Sequence, residues 1–75
     1  MNGLVARQMF ILGGLCANAP TAWEAERIRE VAVDLAAAGD EAAQAVALER
    51  LRALAESVDN EPLYEVWRRL ALVAA

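Results

Sequence analysis

The segment IREVAVDLAAAGDEAAQAVALERLRALAESV, residues 28–58, decides the fold. On both sides of its Gly39-Asp40 step, apolar side chains recur every three or four residues, the spacing of a helix that buries one face. The turn is so short that the two helices must fold back on each other as an antiparallel hairpin. Gly39 is expected in the left-handed conformation that ends the first helix, and Asp40 is expected to cap the second. The inward residues are Ile28, Val31, Ala32 and Leu35 before the turn and Ala47, Leu48, Leu51, Leu54, Ala55 and Val58 after it.

Turn and capping residues place a further helix on each side of this hairpin. Thr21 followed by Glu24 fits the capping box of a helix start. Asn60 or Glu61 can cap the last helix, and Pro62 is tolerated in its first turn because no intrahelical hydrogen bond is lost there. No segment alternates polar and apolar residues with period two, so strands are not expected. The sequence predicts an all-α fold of small antiparallel helical hairpins, a single domain 1–75 with helices at about 4–17, 22–38, 41–58 and 61–73.

The first helix is apolar around most of its circumference, and such a helix needs cover on more than one side. Gly13 and Gly14 lie inside it, and each costs about 1 kcal/mol relative to Ala. Either the helix frays at these glycines or another backbone approaches closely, and the sequence leaves both alternatives open. The apolar residues of this helix are Leu4, Val5, Phe10, Ile11, Leu12 and Leu15, and those on one face of the last helix are Leu63, Val66, Trp67, Leu70 and Val73.

The composition excludes most kinds of chemistry. The 75 residues include 7 basic and 11 acidic side chains, a net charge of -4, no His and one Cys. Without His, neither a Ser-His-Asp nor a Cys-His arrangement can be assembled, and a structural zinc site lacks its ligands. An acidic chain neutralises few phosphates, so nucleic acid is not expected as a partner. We therefore expect no catalysis, no cofactor and no metal ion.

The apolar stretches are too short to cross a bilayer, which needs about 20 residues, so no membrane insertion is expected. Ala17-Asn18-Ala19 imitates a signal-peptide cleavage site, but Pro20 follows it and disfavours cleavage. The single Cys16 fits a reducing cytosol and is interpreted as a small buried hydrophobe.

A protein partner is expected because the chain can build only a small core. About a quarter of the residues are Ala, which bury little area, and chains of this length are marginally stable by themselves. Apolar side chains also remain outside the inward stripes, where they can form a docking surface. These residues are Trp23, Val33, Val46, Tyr64 and Leu72.

The hairpin resembles one tetratricopeptide repeat. Gln44 departs from the pattern at a position usually held by a small residue, and Pro62 comes about six residues later than the closing Pro of the repeat. The whole layout from Ile11 to Leu70, with its AGDEAA turn at 38–43 and a Trp-bearing last helix, is similar to the small tetratricopeptide-like co-chaperones of bacterial type III secretion needle subunits. The repeat positions that match are Val31, Ala32, Leu35, Gly39, Asp40 and Leu48.

This resemblance implies a bacterial cytoplasmic protein that acts with a second small co-chaperone. Together the two would hold the needle subunit as a monomer by covering its amphipathic C-terminal helix. The repeat's concave, groove-facing positions correspond here to Glu26, Arg29, Val33, Ala36 and Ala37. An alternative for Val33 is that it packs against the first helix.

Two other functions fit the same residues. One is a phage- or plasmid-encoded helical inhibitor or adaptor with an acidic surface. The other is a self-assembling bundle whose apolar first helix makes a symmetric homodimer.

Overall fold

The computed structural model describes residues 3–74, and residues 1, 2 and 75 of the predicted domain lie outside that range. Four helices account for most of the described chain, with no strand among those residues, which confirms the all-α fold of antiparallel hairpins. Every helix boundary falls within one residue of its predicted place. The helices are α1 (Gly3–Ala17), α2 (Ala22–Ala37), α3 (Glu41–Ser57) and α4 (Glu61–Ala74).

Three side-chain caps start the last three helices. The Thr21 Oγ1 accepts a hydrogen bond from the backbone N–H of Glu24 at 3.1 Å, and Asp40 Oδ1 accepts one from the N–H of Ala43 at 2.8 Å. At the start of α4 the cap is Asn60, whose Oδ1 accepts from a first-turn N–H at 3.2 Å. Each cap satisfies a backbone donor that has no partner within the helix, a contribution of about 1 kcal/mol.

The left-handed turn residue is Asp59 and not Gly39, so the expectation for Gly39 is wrong. No described glycine has a positive φ, and α2 ends through Ala38 in an extended conformation. Asp59 has a φ of 52° and follows α3. Around it, the N–H of Asn60 donates to the Ala55 carbonyl at 3.0 Å and the N–H of Asp59 donates to the Glu56 carbonyl at 3.3 Å. These two bonds form a Schellman motif, which explains why α3 stops there.

The four helices form a closed ring in chain order. α1 contacts α2, α2 contacts α3, α3 contacts α4, and α4 returns to contact α1, while within residues 3–74 no diagonal pair brings its Cα atoms within 8 Å. The three short connections make each neighbouring pair antiparallel. A stacked repeat array differs from this arrangement, because each of its units contacts only the next one in an open row. The ring therefore adds no support for the tetratricopeptide arrangement.

The half of the bundle where α2 and α4 begin is called the closed half, because neither of the two grooves described below opens there. Side chains from all four helices are shielded from solvent there and at mid-bundle, to 1% exposure or less. The opposite half, where α2 and α4 end, is called the open half. Several of its apolar residues, such as Val5, Leu35 and Leu48, are only partly buried, although Leu70 and Ala47 are buried. The five most deeply buried large side chains are Leu12, Ile28, Leu51, Leu63 and Val66.

Helix α1 is continuous through Gly13 and Gly14, so the glycines do not interrupt it. A Cβ atom added at either glycine would meet no other atom of residues 3–74 within 4 Å, apart from the neighbouring helix backbone. No element of this chain therefore makes the close approach that the glycines would permit. Both residues are exposed on α1.

The two tryptophans occupy different environments. Trp23, near the start of α2, is 55% exposed, and the Arg27 guanidinium lies 5.8 Å from the centroid of its ring. Trp67 is half-buried on α4 and packs against Tyr64 with 5.2 Å between ring centroids. Tyr64 thus packs on the core, in contrast to its expected place on the docking surface.

Candidate functional site

The five predicted partner-binding residues lie along one side of α2, and we call them the α2 stripe: Glu26, Arg29, Val33, Ala36 and Ala37. All five retain solvent contact, with Glu26 partly buried and the other four exposed. Val33 is 59% exposed and is not among the side chains that pack on the core. The alternative that Val33 packs against α1 is therefore not what the structure shows. Because the ring is closed, the stripe lies on its outside, and only its last two residues, Ala36 and Ala37, border grooves between helices.

The amino-terminal part of the α2 stripe is charged but locally neutralised. The Arg29 guanidinium donates to the Glu26 carboxylate, with 2.5 Å between Arg29 Nη2 and Glu26 Oε1. This hydrogen bond and the attraction between the charges lower the pKa of Glu26 from its ordinary value of 4.5 and raise that of Arg29. Both groups are solvent-exposed, so the pair contributes little stability. It supplies a fixed pair of charges beside the apolar part of the stripe.

The first groove beside the α2 stripe, called the end groove, opens at the open half of the bundle. Its volume is about 520 Å³, within the range of ligand pockets. All four helices contribute to it, and its polar lining side chains are Glu41 and Gln44. The other lining residues are Val5, Met9, Leu35, Ala36, Ala38, Leu48, Leu70, Val73 and Ala74.

The second groove, called the side groove, runs between the end of α2 and the start of α3. It has a volume of about 300 Å³ and is floored mainly by alanines. One edge carries an ion pair between α2 and α3, with 2.8 Å between Arg50 Nη1 and Asp34 Oδ2. Its lining residues are Asp34, Ala37, Ala38, Ala43, Val46, Ala47 and Arg50.

The structure brings the carboxyl-terminal part of the α2 stripe between these two grooves. Ala36 lines the end groove and Ala37 lines the side groove, while Val33 lies one turn earlier on the same helix. The charged pair Glu26 and Arg29 lines neither groove. The stripe therefore divides into a charged part and an apolar part, and within the apolar part Ala36 and Ala37 border open volume.

The structure also reveals a buried polar residue that the sequence analysis missed. Gln8 is 2% exposed on α1, and no hydrogen-bond donor in residues 3–74 reaches its Oε1. Its spacing could have identified it, since Gln8 lies three residues after Val5 and four before Leu12, on the inward face. In the chain it stands directly before Met9, which lines the end groove together with Val5.

Other polar chemistry at the site is sparse. Cys16 is a free, half-buried thiol whose Sγ donates to the Ala25 carbonyl at 3.2 Å. In residues 3–74, no group of three or more His, Cys, Asp or Glu side chains is arranged to hold a metal ion. What the arrangement offers is apolar contact area beside open grooves, with charges at its edges.

None of the helices within residues 3–74 combines the length and apolar character that a bilayer-spanning segment needs. The chain matches no protein-family model, no curated protein and no solved structure.

Proposed function

We propose that this chain is a non-catalytic binding module that covers an amphipathic helix of a partner protein along the α2 stripe. The observation that carries the proposal is an exposed apolar segment of α2, in which Val33 is 59% exposed and Ala36 and Ala37, one turn later, each line a groove. An isolated exposed valine needs no explanation, but an apolar segment that borders open volume is typical of a docking site.

The dimensions of the site fit a helix better than an extended peptide. An amphipathic helix presents apolar side chains at intervals of three and four residues. Placed along α2, such a helix covers Val33 with one side chain and sends others over Ala36 and Ala37 into the grooves. The alanines let the partner's backbone approach α2 closely. A sheet edge, which would favour an extended peptide, does not occur in the described residues.

The charges at the grooves indicate a basic partner helix. Glu41 lines the end groove and forms no ion pair with a described residue. The whole chain carries a net charge of -4. A Lys or Arg beside the partner's apolar face would meet Glu41, and this charge complementarity raises the association rate more than the affinity.

In its most specific form the proposal assigns the chain to type III secretion. The resemblance described above implies a bacterial cytoplasmic co-chaperone, with the needle subunit as client and a second small co-chaperone in the complex. A phage- or plasmid-encoded inhibitor would use the same surface for a different client. Genes for a secretion apparatus beside this one would favour the co-chaperone, and phage genes would favour the inhibitor.

The test is co-expression of the tagged full chain with the needle subunit and co-chaperone encoded beside it, followed by light scattering of the purified complex. We expect a heteromeric complex, and Val33→Asp is expected to weaken it at least about tenfold because an unpaired carboxylate would be buried. The matched control is Phe10→Asp, which places the same charge at an exposed apolar position on α1. Circular dichroism verifies that both variants fold.

Two outcomes would contradict the proposal. One is the absence of any complex with the neighbouring secretion proteins, which removes the specific form. The other is a complex that Val33→Asp and Phe10→Asp weaken equally, which removes the α2 stripe as the binding surface.

A further inference from the structure

The outer face of α1 differs from that of every other helix, because it is almost free of charge. Ion pairs lie on the outer faces of α2, α3 and α4. On α1 the only charged residue is Arg7, and it forms no ion pair with a described residue. Phe10, in the middle of this face, is 83% exposed and is the most exposed large apolar side chain described. The exposed residues of α1 are Gly3, Leu4, Ala6, Arg7, Phe10, Gly13, Gly14 and Ala17.

The outer face of α1 carries an aromatic side chain beside a position that has no side chain. Phe10 projects from it, and Gly14, one helical turn later on the same side, leaves a gap. A Cβ atom at Gly14 would meet nothing within 4 Å, so the gap is open to solvent. A projection and a gap separated by one turn can fit each other across a two-fold axis, since in such an interface each residue pair occurs twice.

The charges of α1 also complement a second α1 that runs in the opposite direction. Within α1 the first turn has no acidic residue and the last turn has no basic residue. Its dipole therefore lacks the charged side chains that α2, α3 and α4 each carry in their first turns. In an antiparallel pair the ends of opposite sign meet, and Arg7 approaches the carboxyl-terminal turn of the other helix, where a cation is favourable.

We propose that the outer face of α1 binds a second copy of this chain in an antiparallel, two-fold symmetric α1 pair. Phe10 of each copy packs over Gly14 of the other, and Arg7 lies beside the last turn that contains Ala17. The proposed client surface is on α2, so the dimer and the client complex use different residues.

The length of α1 limits the area that the helix pair can bury. Its 15 residues span about 22 Å at 1.5 Å per residue. A helix pair of this length buries on the order of 1,000 Å² in total, near the lower limit for a specific interface. We therefore expect a weak dimer, with a dissociation constant on the order of 100 μM.

The experiment is sedimentation equilibrium of the full chain from about 10 μM to about 1 mM, a range that brackets this dissociation constant. The mass is expected to rise from 8.1 kDa towards twice that value. Phe10→Asp and Gly14→Gln should each weaken the dimer more than tenfold, the first by placing a charge in the contact and the second by filling the gap. Arg7→Glu should weaken it less, because electrostatic effects at a helix end are screened by solvent.

Matched controls carry the same changes to other helices. Val33→Asp on α2, Ala53→Gln on α3 and Arg69→Glu on α4 alter exposed residues and should leave dimerisation unchanged. Circular dichroism checks that every variant is helical. If Gly14→Gln melts at a higher temperature but sediments as a monomer, the loss of the dimer cannot be attributed to unfolding.

A wild-type mass that stays at 8.1 kDa up to 1 mM would overturn the proposal. So would a dimer that Phe10→Asp leaves intact. The third such result is a monomer that co-sediments with phosphatidylcholine vesicles and loses this binding in Phe10→Asp. None of them depends on the client surface, because Val33→Asp tests that surface separately.

Discussion

The two halves of the bundle are built from the same four helices but differ in how well they are filled. In the closed half and at mid-bundle, Leu12, Ile28 and Leu63 are at most 1% exposed. In the open half, Leu35 and Leu48 remain partly exposed around a groove of about 520 Å³. The helices do not stop short there, since α2 and α4 continue to Ala37 and Ala74.

Side-chain volume explains the difference. The end of α2 and the start of α3 consist mainly of alanine, whereas branched residues occupy the inward positions of the closed half. A helix end made of alanine keeps its backbone hydrogen bonds but cannot fill the space between four helices. Helix formation and core formation are therefore separable in this chain, and the open half keeps unfilled volume between complete helices.

The largest expected effect tests this contrast directly. Leu51→Ala should lower the free energy of unfolding by about 3 to 5 kcal/mol, because it leaves a cavity in a closed environment. Leu51 is fully buried, whereas Leu48, one turn earlier, lines the end groove. Leu48→Ala is the matched control and should cost about 1 to 2 kcal/mol, since solvent already reaches the site. Urea denaturation followed by circular dichroism measures both values, and equal losses would remove the distinction between the halves.

A change in stability of intermediate size is expected for Gln8→Met, since Gln8 directly precedes Met9 of the end groove. Gln8→Met keeps a similar side-chain length and removes the buried Oε1 that lacks a donor. The unfolding free energy should rise by about 1 to 2 kcal/mol, since an unsatisfied buried polar atom is costly. Gln44→Met offers a control, because Gln44 is exposed. A loss of stability in Gln8→Met would show that the carboxamide has a stabilising partner.

The smallest effects concern the turns at the two ends of α3. Asp59→Gly should raise the unfolding free energy by up to about 1 kcal/mol, because glycine adopts a positive φ without steric cost. At the opposite end, Gly39→Ala should also stabilise, by about 0.4 to 1 kcal/mol, since its φ is not positive and its Cβ would meet nothing. Thermal denaturation of the two variants checks these values. A loss of stability in Gly39→Ala would contradict this prediction and would indicate that Gly39 adopts the left-handed conformation expected from the sequence.

Much of the fold could be predicted because its determinants are local. The Asp40 cap and the spacing of Ile28 and Val31 depend on residues within one or two turns, and the structure has both features as expected. The prediction of a left-handed conformation at Gly39 is wrong because a glycine permits a positive φ but does not require it. At Asp59 the two Schellman hydrogen bonds require a positive φ, and that residue adopts it.

Less of the candidate site could be predicted, because it depends on distant parts of the chain. The α2 stripe is a local pattern, but the sequence left open whether Val33 faces a partner or packs against α1, and the structure has it 59% exposed. The end groove depends on how all four helices meet, which no single segment determines. Gln8 is buried on α1, which packs against both α2 and α4, so its burial depends on how distant segments of the chain assemble. Closure of the ring was not expected from a resemblance to a stacked repeat.

The unequal surroundings of the two indoles provide a built-in optical readout. Acrylamide should quench the emission of Trp23 strongly, because its ring lies mainly in solvent. Trp67 is shielded by Tyr64 and the neighbouring helices, so its emission should be blue-shifted and should change mainly when the helices separate. One fluorescence titration can therefore separate events at the protein surface from loss of the packed interior, without an added label.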